Sequence, residues 1–169
     1  MSVGSAGDII VGLARVISGE ASRESARDYL DPNVRLHMDS AEYHGIKMWF
    51  RWIHLIRNCG RIRGLRMTPC ELQRDPSDPA LVNLQMRWSG VDRDRNAPLA
   101  DGRMCHVRYR IANGKVTEIW TRRINYAFIF GPWVCSPVRY RVFHFWAIVH
   151  FACLRLRGKS FMASDRDPQ

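Results

Sequence analysis

The sequence predicts an α+β fold in which helices come first and antiparallel strands follow. Apolar residues in the first third of the chain recur at helical spacing, whereas long segments of the second half alternate between apolar and polar residues. Between two of these segments lies Asn113-Gly114, a dipeptide typical of a two-residue hairpin turn. A chain of 169 residues is long enough to bury one hydrophobic core, so we expect one main domain.

Three helices are predicted before the long strands. Apolar residues from Ile9 to Ile17 fall on one helical face, and Gly19 ends this helix. A second, short helix starts near Ser22 and runs to Leu30, where Asp31-Pro32 breaks it. The third helix spans Ile46 to Cys59 and carries its tryptophans on one apolar stripe.

Strands are predicted where side chains alternate in character. Because successive side chains of a strand point to opposite faces, each segment has one apolar and one polar face. The polar, proline-rich turn Asp75–Pro79 separates two of these segments. The predicted strands are Asn33–Asp39, Ile62–Arg74, Ala80–Val91, Gly102–Ala112 and Lys115–Ile124.

The C-terminal segment differs from the rest of the chain, and we divide the protein into residues 1–135 and 136–169. Ser136-Pro137 is a typical helix start. The apolar run from Val142 to Leu154 has 13 residues, whereas a bilayer-spanning helix needs about 20. This basic, apolar helix fits peripheral contact with a membrane, or equally a position across the domain or in a dimer interface.

Composition is that of a globular protein, with 46% hydrophobic and 25% charged residues. It excludes a wholly disordered chain, a collagen-like repeat and a polytopic membrane protein. Lys and Arg number 26 against 16 Asp and Glu, which gives a net charge of +10. The arginines are spread over the strands without an RNA-binding motif, so we expect no nucleic-acid partner.

Cysteine usage and the N-terminus predict a cytoplasmic protein, membrane-associated if the C-terminal helix binds lipid. The five cysteines are odd in number, widely spaced and contain no C-x-x-C, which argues against a disulfide framework or a zinc site. Free, buried thiols in a reducing compartment are expected instead. The N-terminus lacks the basic region of a signal peptide.

Two segments resemble a known superfamily. They are YLDPNVRLHMDSAEYHGIKMWFRWI (29–53) and PLADGRMCHVRYRIANGKVTEIWTRRINY (98–126). The first resembles the helix, strand, turn and helix of the nuclear transport factor 2-like (SnoaL-like) superfamily, and the second resembles its final hairpin. The resemblance covers roughly residues 5 to 130 and implies N-terminal helices packed on a cone-shaped, curved antiparallel sheet. The C-terminal helix is an addition to that fold.

Within the superfamily, the chain is most similar to small fungal biosynthetic proteins, through its size, its tryptophan content and the aromatic segment NYAFIFGP. That similarity implies a cofactor-free isomerase or cyclase for a polyketide, terpenoid or alkaloid intermediate in secondary metabolism. A hydrophobic small molecule is the expected substrate, and a homodimer is the expected assembly. A dehydratase resembling scytalone dehydratase, or a non-catalytic cone that binds lipid or a partner, is the alternative.

The first candidate catalytic cluster is Arg35, His37 and Asp39 on one face of a predicted strand. A carboxylate beside an imidazole orients the ring as a general acid or base. A nearby guanidinium stabilises an oxyanion as charge develops. The same pattern also fits a solvent-facing strand with a surface salt bridge.

The second cluster is His106, Arg108 and Arg110, which share a face of the strand before the Asn113-Gly114 turn. His106 is a candidate catalytic residue, and Arg108 is a candidate substrate-binding residue. If the apolar face of this strand packs on the helices, all three side chains lie at the surface instead.

The third cluster is Glu118, Trp120 and Arg122 on the following strand. A tryptophan between two charges is unusual on a solvated face, so Glu118 is a candidate base and Trp120 a candidate substrate contact. The alternative is a structural ion pair between Glu118 and Arg108 or a neighbour, of about 0.2–1 kcal/mol.

Aromatic side chains are the candidates for the wall of an apolar pocket, although tryptophans at helical spacing are more often core. No short motif with metal-ligand spacing includes the histidines, so neither a metal nor a cofactor is expected. The aromatic candidates for substrate binding are Trp49, Trp52, Trp88, Trp120 and Tyr126.

Overall fold

A computed structural model describes residues 5–39, 41–98, 103–122, 125, 129–130 and 137–156. It has the α+β architecture expected from the sequence. The helices are α1 (Ala6–Ser18), α2 (Ala26–Tyr29), α3 (Ile46–Cys59) and α4 (Pro137–Leu156). The strands are β1 (Leu30–Met38), β2 (Ala41–His44), β3 (Ile62–Arg74), β4 (Leu81–Asp92), β5 (Ala97–Pro98), β6 (Arg103–Ala112) and β7 (Lys115–Thr121).

The strands form one curved sheet in the order β2-β1-β7-β6-β4-β3, and the short strand β5 pairs with the last two residues of β4. The expectation of a purely antiparallel sheet is wrong at one place, because β1 and β7 run parallel. These two strands come from opposite ends of the sheet region of the sequence, so no turn between them imposes an antiparallel pairing.

The end of α1 and the last hairpin behave as predicted. Gly19 ends the helix in a left-handed conformation with φ 78°. Asn113 and Gly114 both have positive φ, 52° and 73°, as a type I′ hairpin turn requires. These features depend on neighbouring residues, which is why the sequence predicts them.

Strand β1 begins earlier than expected, at Leu30, and contains Pro32. Leu30 pairs with Val116, and the next pair is Arg35 with Glu118, so the ladder with β7 is interrupted around the proline. Pro32 lacks a backbone N–H, and this interruption spares it from having to donate a ladder hydrogen bond.

The core lies between one face of the sheet and the helices α1 and α3. One face of each helix is buried against the apolar face of the strands, and all these side chains form one continuous cluster. Its members include Ile10, Leu13 and Val16 of α1, Trp49, Trp52 and Ile53 of α3, and Leu36, Leu84, Met86, Val107 and Ile119 of the sheet.

Helix α4 begins at Pro137, as the sequence predicts. Its buried side chain Phe143 lies 4.7 Å from Phe130 and 5.9 Å from Trp52 of α3, measured between ring centroids. Helix α4 is therefore attached to the helical side of the domain. Within the described ranges, no helix is both long and apolar enough to cross a membrane.

The expectation of buried thiols holds for one of the cysteines whose side chains are described. Cys105 is buried in the sheet, whereas Cys70 and Cys153 are exposed, and all three are free thiols. Cys135 lies outside the described residues, as does the side chain of Cys59.

Candidate active site

The three polar clusters recognised in the sequence lie together on one face of the sheet. Arg35 on β1 pairs with Glu118 on β7, and Glu118 pairs with Arg110 on β6. Paired residues share a face, so these charged side chains are neighbours. A second row on the same face runs across β1, β7, β6 and β4 through His37, Trp120, Arg108 and Asn83.

A β-bulge gives Glu118 its orientation. Arg110 pairs with Glu118 while the adjacent Ile111 pairs with Val116, so Thr117 is an extra residue in β7. In a regular strand, residues 116 and 118 would share a face. The bulge instead leaves Val116 fully buried in the core and turns Glu118 to the polar face.

An open cavity of about 1090 Å³ covers this polar face, on the side opposite to α1 and α3. Its volume is at the upper end of that of small-molecule sites. Backbone and side chains of six strands and of Asn125 contribute to it. The polar and aromatic residues in its lining are His37, Asp39, Glu42, Glu71, Gln73, Asn83, Gln85, His106, Arg108, Trp120, Thr121, Arg122 and Asn125.

Glu118 is the centre of the charged network at the edge of the cavity. Its side chain is only 12% exposed, and Arg35 Nη2 and Arg110 Nε donate to its Oε1 at 2.9 and 3.1 Å. Its other oxygen, Oε2, lies 2.9 Å from His37 Nε2. Arg110 also donates to Asp78 at 2.9 Å, which holds the guanidinium in place. Both oxygens of Glu118 are already engaged by these three donors, so its geometry suits it to orient His37.

His37 lies between two carboxylates. Nε2 contacts Glu118, and Nδ1 lies 3.1 Å from Oε2 of Glu42 on the neighbouring strand β2. Both contacts are matched hydrogen bonds when both ring nitrogens carry protons. When one proton leaves, one carboxylate has to turn away, and the more exposed Glu42 is the one with room to do so. The imidazole ring stacks on the Trp120 indole, with 4.8 Å between the ring centroids and 10° between the ring planes, and this stacking fixes its orientation.

The predicted site residues divide between two faces of the sheet. Arg35, Asp39, His106 and Arg108 lie on the polar face with the His37 and Glu118 pair, and all but Arg35 line the cavity. Tyr126 lies outside the described residues. The other aromatic candidates are buried in the core, with 3%, 2% and 4% of their surface exposed for Trp49, Trp52 and Trp88.

The hypothesis of one apolar pocket that holds both the tryptophans and the ionisable groups is therefore wrong for this cavity. The stripe on α3 faces the sheet, and Trp88 shares the apolar face of β4 with Met86 and Leu84. Trp120 is the exception among the aromatic candidates, because it points to the polar face next to His37.

No protein-family model matches the sequence, and no curated protein matches it. Solved structures match the fold. The Sinorhizobium meliloti protein SMa1630, a proposed polyketide cyclase, has a TM-score of 0.53 and 12% identity over 71% of this chain and 98% of its own. IdmH of Streptomyces antibioticus, also a proposed polyketide cyclase, has a TM-score of 0.51 and 16% identity over 70% of this chain and 91% of its own.

The fold is that of the nuclear transport factor 2-like, SnoaL-like proteins. At these identities the likeness concerns the arrangement of helices and curved sheet, and the chemistry has to be argued from the side chains. The functional candidates lie on the sheet face that points away from α1 and α3.

Two charged residues of the site were missed in the sequence. Glu42 lies in the four-residue strand β2, and Asp78 lies in the turn between β3 and β4. Their site partners His37 and Arg110 come from other strands, and the one local contact of Glu42, with His44 at 3.1 Å, does not reveal the contact with His37. The polar alternation of β3 and β4 was a usable signal for Glu71, Gln73, Asn83 and Gln85, which line the cavity.

Metal-ligating side chains are not grouped in the part of the chain that the structure describes. There, no three His, Cys, Asp or Glu residues are arranged to hold an ion. His37 contacts two carboxylates, those of Glu118 and Glu42.

Proposed function

We propose that the protein is a cofactor-independent isomerase or cyclase that moves a proton within a small molecule bound on the polar face of the sheet. The observation that carries the proposal is the contact of His37 with Glu118 and Glu42 at the edge of the cavity. An imidazole oriented by a carboxylate at one nitrogen is a general acid or base through the other nitrogen.

Nδ1 of His37 is the reacting atom in this proposal. Glu118 holds Nε2 as a donor, and the two arginines hold the Glu118 side chain in place. A substrate that enters the cavity displaces the exposed Glu42 from Nδ1. Nδ1 then takes a proton from an activated carbon and returns it at another position, so that no cofactor or net proton is consumed. Glu118 is a positioning residue here, not the base for which it was a candidate.

Trp120 lies between His37, the proposed base, and Arg108, the proposed oxyanion partner. Its ring stacks on His37, and its strand neighbour on the other side is Arg108. His37 and Arg108 are two strand spacings apart, about 10 Å, which leaves room for a flat substrate across the indole. Nε of Arg108 donates to Asn83 at 2.8 Å, which anchors the guanidinium. In this proposal, its terminal nitrogens bind the developing enolate oxygen.

A polyketide or another oxygenated polycyclic precursor is the substrate class that we propose. Such molecules have acidic C–H groups beside carbonyls, which a histidine base and an arginine oxyanion partner can activate. The fold neighbours that are proposed polyketide cyclases are consistent with this class. Terpenoid and alkaloid intermediates with activated C–H groups belong in the same test.

Deuterium incorporation tests proton abstraction without knowledge of the final product. The protein is incubated in D2O with a panel of polyketide, terpenoid and alkaloid intermediates, and exchange at carbon is followed by mass spectrometry or NMR. We expect catalysed exchange with at least one member, and a loss of about 10²–10⁴-fold in the His37→Gln variant, the range for one general acid or base. If the same substrate also loses water, the enzyme is a dehydratase that begins with this proton abstraction.

His54→Gln is the matched control, because His54 lies on α3 and does not line the cavity. It should exchange substrate at the wild-type rate. Glu118→Gln should slow exchange by about 10²-fold or more, since an amide that donates to Nε2 forces the proton onto Nδ1. Its pH–rate profile should also change, which a purely structural role would not cause. Equal exchange with and without the protein across the panel, or an unaffected His37→Gln variant, would refute the proposal.

A further inference from the structure

Helix α4 has an apolar face that nothing in the described part of the chain covers. Val138, Val142, Phe145 and Val149 follow the spacing i, i+4, i+7 and i+11, so they form one stripe. All four are exposed, and Phe145 has 70% of its surface accessible. The opposite side of the helix is anchored, because Phe143 and Ala147 are buried.

The charges around this stripe have one sign. From residue 133 to residue 164 the sequence contains no Asp or Glu. Basic residues stand near both ends of the helix, and the chain as a whole carries +10. The basic residues are Arg139 and Arg141 near the start, and Arg155, Arg157 and Lys159 near the end.

We propose that α4 docks on an anionic lipid surface and lies in its plane. Because the inner side of α4 is occupied by the domain, only its exposed apolar side chains are available to a bilayer. Apolar groups at that exposed side can enter the acyl region, and the basic residues near both ends can meet lipid phosphates. The helix cannot span a bilayer, because its other face is packed on the domain. The exposed stripe therefore faces the lipid surface along the side of the helix, over the helix length of about 30 Å.

A second copy of the chain is the less favourable occupant. Both ends of α4 are basic, so either a parallel or an antiparallel pair of α4 helices places like charges together. The rest of each copy adds to this repulsion, because the net charge of each is +10. A surface of anionic headgroups complements the charge and covers the apolar stripe at once.

Vesicle co-sedimentation of the full-length protein tests the proposal. One set of vesicles is pure phosphatidylcholine, and in the other about a third of the lipid is phosphatidylserine. We expect the protein to pellet with the anionic set, and less so as salt is raised. The double variant Phe145→Ser, Val149→Ser should lower the partition coefficient by about 10-fold or more, because it removes apolar area from the stripe.

Val11→Ser is the matched control, an exposed valine on α1 with 48% of its surface accessible, and it should bind like the wild type. Circular dichroism checks that all variants are folded, which is expected because each substitution is at an exposed position. Equal binding to both vesicle sets, or equal binding of the double variant and the wild type, would overturn the proposal. So would a concentration-dependent dimer that the double variant abolishes without any effect of lipid.

Discussion

At Glu118, three hydrogen-bond donors from the two neighbouring strands β1 and β6 converge on one carboxylate. Arg35 and Arg110 bind one oxygen and His37 the other, while the side chain is almost withdrawn from water. Because Arg35 is 48% exposed and His37 is 22% exposed, solvent screens the contact with Arg35 more than the contact with His37. This environment distinguishes Glu118 from Glu42, which contacts the same histidine but is much more exposed.

Tyr43 is a residue with a pH-dependent contribution to stability. Burial against the core raises the pKa of Tyr43 to about 12, above the value of about 10 for an unfolded chain. The folded state therefore keeps a proton that the unfolded state loses as pH rises through 10. Its contribution to the free energy of unfolding is fully present below about pH 10 and is lost between about pH 10 and 12.

Tyr43→Phe should make the alkaline decline shallower. Urea unfolding between about pH 9 and pH 12 measures the slope of the unfolding free energy in the variant and in the wild type. Burial also raises the pKa of Tyr109, so Tyr109→Phe should change the slope in the same direction. An identical slope in the wild type and in Tyr43→Phe would contradict the prediction.

At the scale of the element, helix α1 contains two glycines with different surroundings. A Cβ at Gly12 would lie 2.3–2.7 Å from ring carbons of Tyr29, so this glycine lets α2 approach α1 closely. A Cβ at Gly7 would have the Ser5 hydroxyl at 3.5 Å, which is an ordinary contact. The same substitution should therefore have opposite effects at the two positions.

Gly7→Ala should stabilise the protein by about 0.5–1 kcal/mol through helix propensity. Gly12→Ala should destabilise it by about 1–2 kcal/mol, because the tyrosine ring has to move. Both values are measured by chemical denaturation. In a Tyr29→Ala background the penalty at Gly12 should disappear, and a penalty that persists would place its cause elsewhere than in the ring contact.

The bulge in β7 is a second feature at this scale. One extra residue, Thr117, lets the strand supply Val116 to the core and Glu118 to the cavity. Without it, one of these two side chains would lie on the wrong face, either as a charge in the core or as a valine in the polar network. The candidate site thus depends on an irregularity in the sheet.

At the scale of the whole molecule, α4 is joined to the domain by a small aromatic contact. Phe143 packs with Phe130 and Trp52 and is 1% exposed, whereas Phe145, two residues on, faces away. Phe143→Ala should cost about 3–5 kcal/mol in the free energy of unfolding, and Phe145→Ala less than about 0.5 kcal/mol.

Thermal and urea unfolding of the two alanine variants measure these costs. The pair is matched, because both substitutions remove the same ring from the same helix and differ in burial. Similar costs for both would mean that α4 is not attached as described. A cost at Phe143 alone would show that helix and domain unfold together.

Much of the architecture follows from the sequence alone. The periodicity of α1 and α3, the alternation of the long strands and the turn at Asn113-Gly114 all depend on residues close to each other in the chain. For the same reason, alternation within one strand shows that Arg35 and His37 share a face.

Only the tertiary structure decided how the strands meet. His37 and Glu118 are 81 positions apart, and their contact needs the parallel pairing of β1 with β7 as well as the bulge at Thr117. The tertiary structure also placed Trp52 in the core and Trp120 at the cavity. A local pattern specifies which side chains share a face, but the neighbour across the sheet depends on long-range register, which is set by the packing of the whole core.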